Sequence, residues 1–136
     1  MQEQYFNKYG RKIWENGYTV LPLQPNTKVP GSFDGGNEDW ASYCAKPNIG
    51  LEIDAWESWP NAGIGVPLGT LVAVNIDIDN DEELSDNIER VARSTLGDTS
   101  VMRIGKYPKK MLFYRNSNPI KKMRLGPIEI LGSGQQ

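Results

Sequence analysis

A chain of 136 residues with one cysteine and no histidine can bury about two-thirds of the surface it exposes when unfolded, which suits one domain over residues 1–136. Cys44 excludes an intrachain disulfide and any zinc site of several thiolates, and the lack of histidine removes the commonest general base and most transition-metal sites. The net charge of -2 hides an asymmetry: residues 31–98 carry fourteen acids against three bases (Lys46, Arg90, Arg93), whereas residues 99–128 carry eight bases and no acid. Such a segregation fits a polyanionic partner on one side of the molecule, and a solvated basic face produces it too.

The opening MQEQYFNKYGRKIWENG has no apolar signal segment, and no run of about eighteen apolar residues occurs anywhere, so no leader or membrane span is supported and the chain reads as cytoplasmic. Phe6, Tyr9 and Ile13 recur at helical spacing, which predicts an amphipathic helix over residues 4–16 that stops at Gly17. YTVLPL reads as a short strand. QPNTKVPGSFDGGNEDW reads as a long loop whose Pro and Gly content forbids regular structure, and loops of that length are often functional. Short helices are expected at residues 38–45, with Asn37 as N-cap, and at residues 53–59. AGIGV and LVAVNIDI follow as two strands joined by a tight connection containing Pro67 and Gly69. NDEELSDNIERVARSTLG places Leu84, Ile88, Val91, Ala92 and Leu96 on one helix face, with acids in its first turn, arginines later and Gly97 past its end. SVMRIG, KKMLFYR and PIEIL are further strands. Strand, helix and then a meander predict an α+β fold, a mixed or antiparallel sheet packed against helices.

The aliphatic run LVAVNIDIDN ends in two aspartates. Side chains alternate along a strand, so Asp77 and Asp79 share the face opposite Val72, Val74, Ile76 and Ile78. Carboxylates about 6 to 7 Å apart at the end of a half-buried strand repel each other unless a cation lies between them. A divalent ion meets that need, and oxygen-only donors select Mg²⁺ or Mn²⁺. The same residues also suit a plainer role, capping the next helix or ending the strand in solvent. An EF-hand is excluded: DIDNDEELSDNI begins with Asp77, Asp79 and Asp81, but Glu82 stands where glycine is needed and Ile88 where the bidentate glutamate belongs. Glu129, between Ile128 and Ile130, projects opposite its aliphatic neighbours. With its strand beside that of Asp77, three acids would converge next to the basic segment, a constellation suited to two-metal nucleotidyl transfer; otherwise Glu129 is an exposed strand residue.

GYTVLPLQPNTKVP, with Gly17, Val20, Pro22, Leu23, Pro25, Lys28 and Pro30 in place, resembles the opening pattern of the bifunctional DNA primase-polymerase N-terminal domain of the archaeo-eukaryotic primase superfamily, in its phage and plasmid form. Trp40 is similar to the tryptophan that follows in that family, WPNAGIGVPLG to its P-x-x-x-I-G-x-x-x-G stretch, and VNIDID to its first metal-binding D-x-D motif. RIGKYPKKMLFYR followed by IEILGSGQQ is similar to the later strands of the phage branch. The resemblance runs from Gly17 to the last residue and implies an archaeo-eukaryotic primase-like fold. It also implies synthesis or extension of a primer from nucleoside triphosphates on single-stranded DNA or a primer-template, with Asp77, Asp79 and Glu129 as catalytic ligands of Mg²⁺ or Mn²⁺.

Arg103, Lys109, Lys110 and Arg115 are expected to supply phosphate contacts, and Lys28, on its Pro-restrained loop, to face the same cleft. Many members place a nucleotide-contacting histidine where this chain has Lys109, Lys110 and Met111. A lysine binds phosphate as a point charge, and the sequence does not choose between Lys109 and Lys110. The family domain usually continues beyond GQQ with more sheet. The expectation is therefore an N-terminal fragment of a longer replication protein, phage or plasmid encoded, with a fused or associated helicase and with low or absent activity by itself. From a different class, the alternative is a non-catalytic nucleic-acid binding module of a replication initiator, served by the basic segment through sequence-independent phosphate contacts. Tyr107 and Tyr114 would then stack on unpaired bases, while alternation sends Phe113 to the core.

Overall fold

A computed structural model of the chain describes residues 4–32, 35–36 and 39–136. The chain divides into two compact units, Met1–Pro67 with Gly134–Gln136, and Leu68–Ser133.

In the first unit the expected opening helix forms as a π-helical turn, Phe6–Gly10, running into α1 (Arg11–Glu15). The chain leaves it through Gly17 at φ 93°, a left-handed conformation that glycine adopts without a Cβ penalty. Phe6 is fully buried, whereas Tyr9 faces solvent. β1 (Leu21–Leu23) pairs antiparallel with β4 (Gly63–Gly65), and α2 (Gly50–Glu57) lies against the opening turn. Trp56 of α2 meets Phe6 edge-on at 6.1 Å and Tyr43 at 5.8 Å, and Val20, Leu21, Ile53 and Ala62 complete this core. Arg11 ties α1 to α2 through hydrogen bonds of 2.8 and 2.9 Å to the two carboxylate oxygens of Glu57, a bidentate geometry.

Three expectations change in this unit. β4 does not pair with the strand that follows it, because both edges of that strand are taken by others and β4 finds its partner in β1. The long loop carries a short antiparallel ladder of β2 (Gly31–Ser32) with β3 (Gly35–Gly36). α2 begins at Gly50 rather than Ile53, since Glu52 Oε2 accepts the Ile49 N–H at 3.0 Å and caps a helix that has no Ser, Asp or Asn at its start. Trp40–Cys44 forms a 3₁₀ helix, while the expected cap Asn37 and start Glu38 lie outside the described residues.

The second unit contains β5 (Leu71–Ile76), α3 (Glu82–Leu96), β6 (Met102–Ile104), β7 (Lys110–Arg115), β8 (Met123–Leu125) and β9 (Ile128–Leu131). Its strands form one sheet in the order β6-β7-β5-β9-β8, antiparallel at every pairing. The α+β expectation is met. β8 is a strand absent from the sequence reading; it is fully exposed and joins β9 through a two-residue turn with Gly126 at φ 58°.

α3 forms where its signals put it. The Asp81 side chain accepts the Leu84 N–H at 2.9 Å, and Gly97 follows the last turn at φ 96°. Its expected face turns toward the sheet without being closed against it: Ile88, Val91, Ala92 and Leu96 stand over Val74 and Ile130, Leu84, Val91 and Leu96 stay exposed, and Ser85 is the fully buried residue, donating to the Pro108 carbonyl at 2.8 Å. Beside that stripe Lys110 emerges beneath the helix and meets Asp86 and Glu89 at 2.5 and 2.8 Å. Leu112, rather than Phe113, is the fully buried residue of β7; Phe113 pairs with Ala73 on the other face and is half-buried. A groove of about 370 Å³ lies between α3 and the sheet, lined among others by Val74, Ile88, Val91, Leu96 and Ile130. Among the described residues, no helix is long and apolar enough to cross a membrane.

Candidate active site

β5 is the central strand, and its register fixes what stands beside it. Asn75 lies opposite Met111 on β7 and Glu129 on β9; Met111 lies opposite Arg103, and Glu129 opposite Arg124. Directly paired residues share a face, so one row runs Arg103, Met111, Asn75, Glu129, Arg124 across the sheet, on the side away from α3. Past the end of β5, Asp77 keeps its backbone bonded, its N–H donating to the Pro127 carbonyl at 2.8 Å. Two residues beyond Asn75, Asp77 continues on that face, and Asp79, in the bend that follows, meets the same Lys109 ammonium as Asp77.

Three bases compensate these three acids. Lys109 Nζ lies 3.0 Å from Asp77 Oδ1 and 3.1 Å from Asp79 Oδ1, so one ammonium serves both aspartates. Arg124 spans Glu129, at 2.9 Å, and Asp77, at 3.6 Å, while Lys122 takes the second oxygen of Glu129 at 3.1 Å. The Lys109 ammonium hydrogen-bonded to Asp77 holds that carboxyl below the usual carboxylate range, with the charges of Lys109 and Arg124 acting in the same direction. Its hydrogen bonds to Asp77 and then Asp79 raise Lys109 above the ordinary lysine value in return.

The remaining residues of interest divide. Lys110, one position from Lys109, points to the opposite face. There burial alone would lower its pKa, but the hydrogen bonds it donates to Asp86 and Glu89 outweigh that and raise it. Arg103 is exposed at the β6 edge of the row. Arg115 pairs with Leu71, on the carboxylate face but at the far end of β5, about 20 Å along the strand from Asp77. Lys28 belongs to the first unit, on an exposed turn whose carbonyl accepts the Gln136 side chain at 2.6 Å. Two bases were missed by the sequence reading, Lys122 and Arg124. The signal was there: Gly126-Pro127 is a turn pair, and a two-residue hairpin about it sets Arg124 opposite Glu129.

The same span is covered by a family description. The model for "Bifunctional DNA primase/polymerase, N-terminal" matches residues 11–136. The chain belongs to this family. Membership suggests activity of the DNA primase/polymerase type, and the antiparallel α+β unit carrying the acids lies wholly within the matched residues. No curated protein matches the chain.

A divalent ion in a primase/polymerase domain needs oxygen donors that one cation can reach together. Asp77 and Asp79 fit, since a single ammonium already lies within 3.1 Å of both, and waters and phosphate oxygens ordinarily complete the shell of Mg²⁺. Glu129 meets different cations from Asp79, and among the described residues no three His, Cys, Asp or Glu side chains gather as a metal-binding group.

Proposed function

We propose that this domain carries out metal-dependent nucleotidyl transfer in DNA replication, making or extending a primer from nucleoside triphosphates on a DNA template. The observation that carries the reading is the pair Asp77 and Asp79 at the end of the central strand, sharing one cation on a face that also bears Arg103 and Arg124. The two aspartates hold Mg²⁺ or Mn²⁺, which when bound neutralises their repulsion and polarises the reacting phosphate.

In the reaction a strand-end hydroxyl attacks the innermost phosphorus of the nucleotide, a phosphodiester bond forms, and pyrophosphate leaves. Negative charge accumulates on the leaving group, and preorganised bases on the same face stabilise it. Lys109 and Arg103 take the nucleotide phosphates, Lys109 as a point charge and Arg103 as a fork of donors. Arg115 serves backbone phosphates of the template or primer. Lys110, fixed under α3, sets the start of β7 and with it the place of Lys109.

The test is incorporation of a labelled nucleoside triphosphate into a primed template with Mn²⁺ or Mg²⁺. The reading expects incorporation that chelation and Asp77→Asn abolish. The competing reading, a nucleic-acid binding module without chemistry, is favoured by the compensation of all three acids by Lys109, Lys122 and Arg124. It expects no incorporation with either ion, together with DNA binding that weakens steeply with salt.

A further inference from the structure

The ion pairs of the carboxylate face differ in kind from the one beneath α3. The Lys110 side chain is 6% exposed and ties the helix to the sheet through Asp86 and Glu89. The side chains of Lys109, Lys122 and Arg124 are 37%, 50% and 52% exposed, and ion pairs in that much water add little to stability. They bear instead on what the face can bind.

Asp77, Asp79 and Glu129 balance Lys109, Lys122 and Arg124 in charge, so donors that suit a phosphate already serve carboxylates. Lys109 Nζ, at 3.0 Å from Asp77 Oδ1 and 3.1 Å from Asp79 Oδ1, stands where one cation reaches both oxygens. A divalent ion and this ammonium compete for the same place. Arg124 bridges Asp77 Oδ2, at 3.6 Å, and Glu129 Oε1, at 2.9 Å, while Lys122 meets Glu129 Oε2 at 3.1 Å. Positive charge arriving among these acids compensates them and repels all three bases. The groups released are two ammonium ions on flexible stems and a guanidinium whose fork matches phosphate oxygens.

We propose that Lys109, Lys122 and Arg124 exchange partners: a divalent cation takes the carboxylates from them and they take the triphosphate of the nucleotide, so that cation and nucleotide favour each other's binding. The inference rests on the nucleotidyl-transfer reading and adds Lys122 and Arg124 to its phosphate-binding residues. The coupling is reciprocal, since the factor by which the cation strengthens nucleotide binding is the factor by which the nucleotide strengthens cation binding. Either ligand alone has the face's own side chains as competitors.

The test titrates Mn²⁺ alone, followed by electron paramagnetic resonance, and a nucleoside triphosphate at saturating Mn²⁺, followed by calorimetry. It compares the wild-type chain with Lys109→Met, Lys122→Met with Arg124→Met, Lys121→Met, and Asp77→Asn with Asp79→Asn. Lys121, exposed beside Lys122, joins none of these ion pairs and controls for the loss of one charge. Lys109→Met, and the Lys122 and Arg124 variant, are expected to bind Mn²⁺ at least about fivefold more tightly than wild type, and Lys121→Met to stay within about twofold. The Lys122 and Arg124 variant is also expected to bind the nucleotide at least about fivefold more weakly.

Unchanged or weaker Mn²⁺ binding in Lys109→Met would overturn the exchange and leave the metal reading standing. Equal tightening in Lys121→Met would do the same, because it would trace the effect to net charge rather than to the paired groups. Undiminished nucleotide affinity in the Lys122 and Arg124 variant would refute their part in phosphate binding. Unchanged Mn²⁺ binding in the aspartate variant would refute the metal reading and the exchange together. Lys109 touches only the two aspartates and not the more enclosed Glu129, so should loss of both Glu129 partners unfold the domain, the Lys109→Met titration still decides.

Discussion

Two adjacent lysines do opposite work because they stand on a strand. Lys109 reaches Asp77 and Asp79 on one side of the sheet, and Lys110 reaches Asp86 and Glu89 beneath α3 on the other. Lys110→Met should therefore lower stability by about 2 kcal/mol, less than a fully buried pair would cost because Asp86 keeps its water, and leave Mn²⁺ binding unchanged. Urea denaturation and a Mn²⁺ titration check the two halves. Lys109→Met should leave stability nearly unchanged and let Asp77 titrate at higher pH, which carboxyl NMR measures. The pH dependence has a defined sign. Glu89, hydrogen-bonded to Lys110, and Asp77, hydrogen-bonded to Lys109, have lowered carboxyl pKa values, so their contributions are present above the unfolded values near about 4 and vanish as pH falls through the folded ones. Lys110 has a raised value, so its contribution is complete below about 10.4 and vanishes as pH rises through the folded one. Stability should thus be level across neutral pH and fall on strong acidification. The acids were legible in the sequence because alternation is a local rule. The choice between the lysines was not, since it depends on which face a distant helix covers.

At the scale of elements, α3 and the β8–β9 hairpin mark the two extremes of legibility. Every signal for α3 is local: Asp81 as cap, acids in the first turn, Gly97 at the end. Asp81→Ala should cost about 1 kcal/mol, the usual value of such a cap, measurable as a shift in the urea midpoint. β8 is short and exposed on an edge, and its existence depends on pairing with β9. β4 was read as a strand, but its pairing with β1 was not foreseen for a related reason, the two being distant in sequence. Leu112 carries the packing under α3, and Leu112→Ala should cost about 2 to 5 kcal/mol, depending on how far the helix settles into the space. Gly132 marks a close approach, where a Cβ would run into the Ile120 carbonyl. Gly132→Ala should cost about 1 to 3 kcal/mol, as other insertions into filled space do, and the same denaturation experiment reads it.

At the scale of the whole molecule, the order of elements and the motifs from Gly17 onward were enough to anticipate an α+β primase/polymerase domain, and the match over residues 11–136 bears this out. The aromatic core around Phe6 and Trp56 was not anticipated, because its members come from segments far apart in sequence. The carboxylate face was anticipated, but its compensation by Lys122 and Arg124 was not, since that arises from a short exposed strand whose only sequence signal is the Gly126-Pro127 turn pair. The central claim is that Asp77 and Asp79 together hold one divalent cation, and a Mn²⁺ titration followed by electron paramagnetic resonance tests it most directly. The wild-type chain should bind Mn²⁺ saturably, and Asp77→Asn with Asp79→Asn should lose that binding while keeping the wild-type circular dichroism spectrum. Equal Mn²⁺ binding by the two folded proteins would contradict the claim.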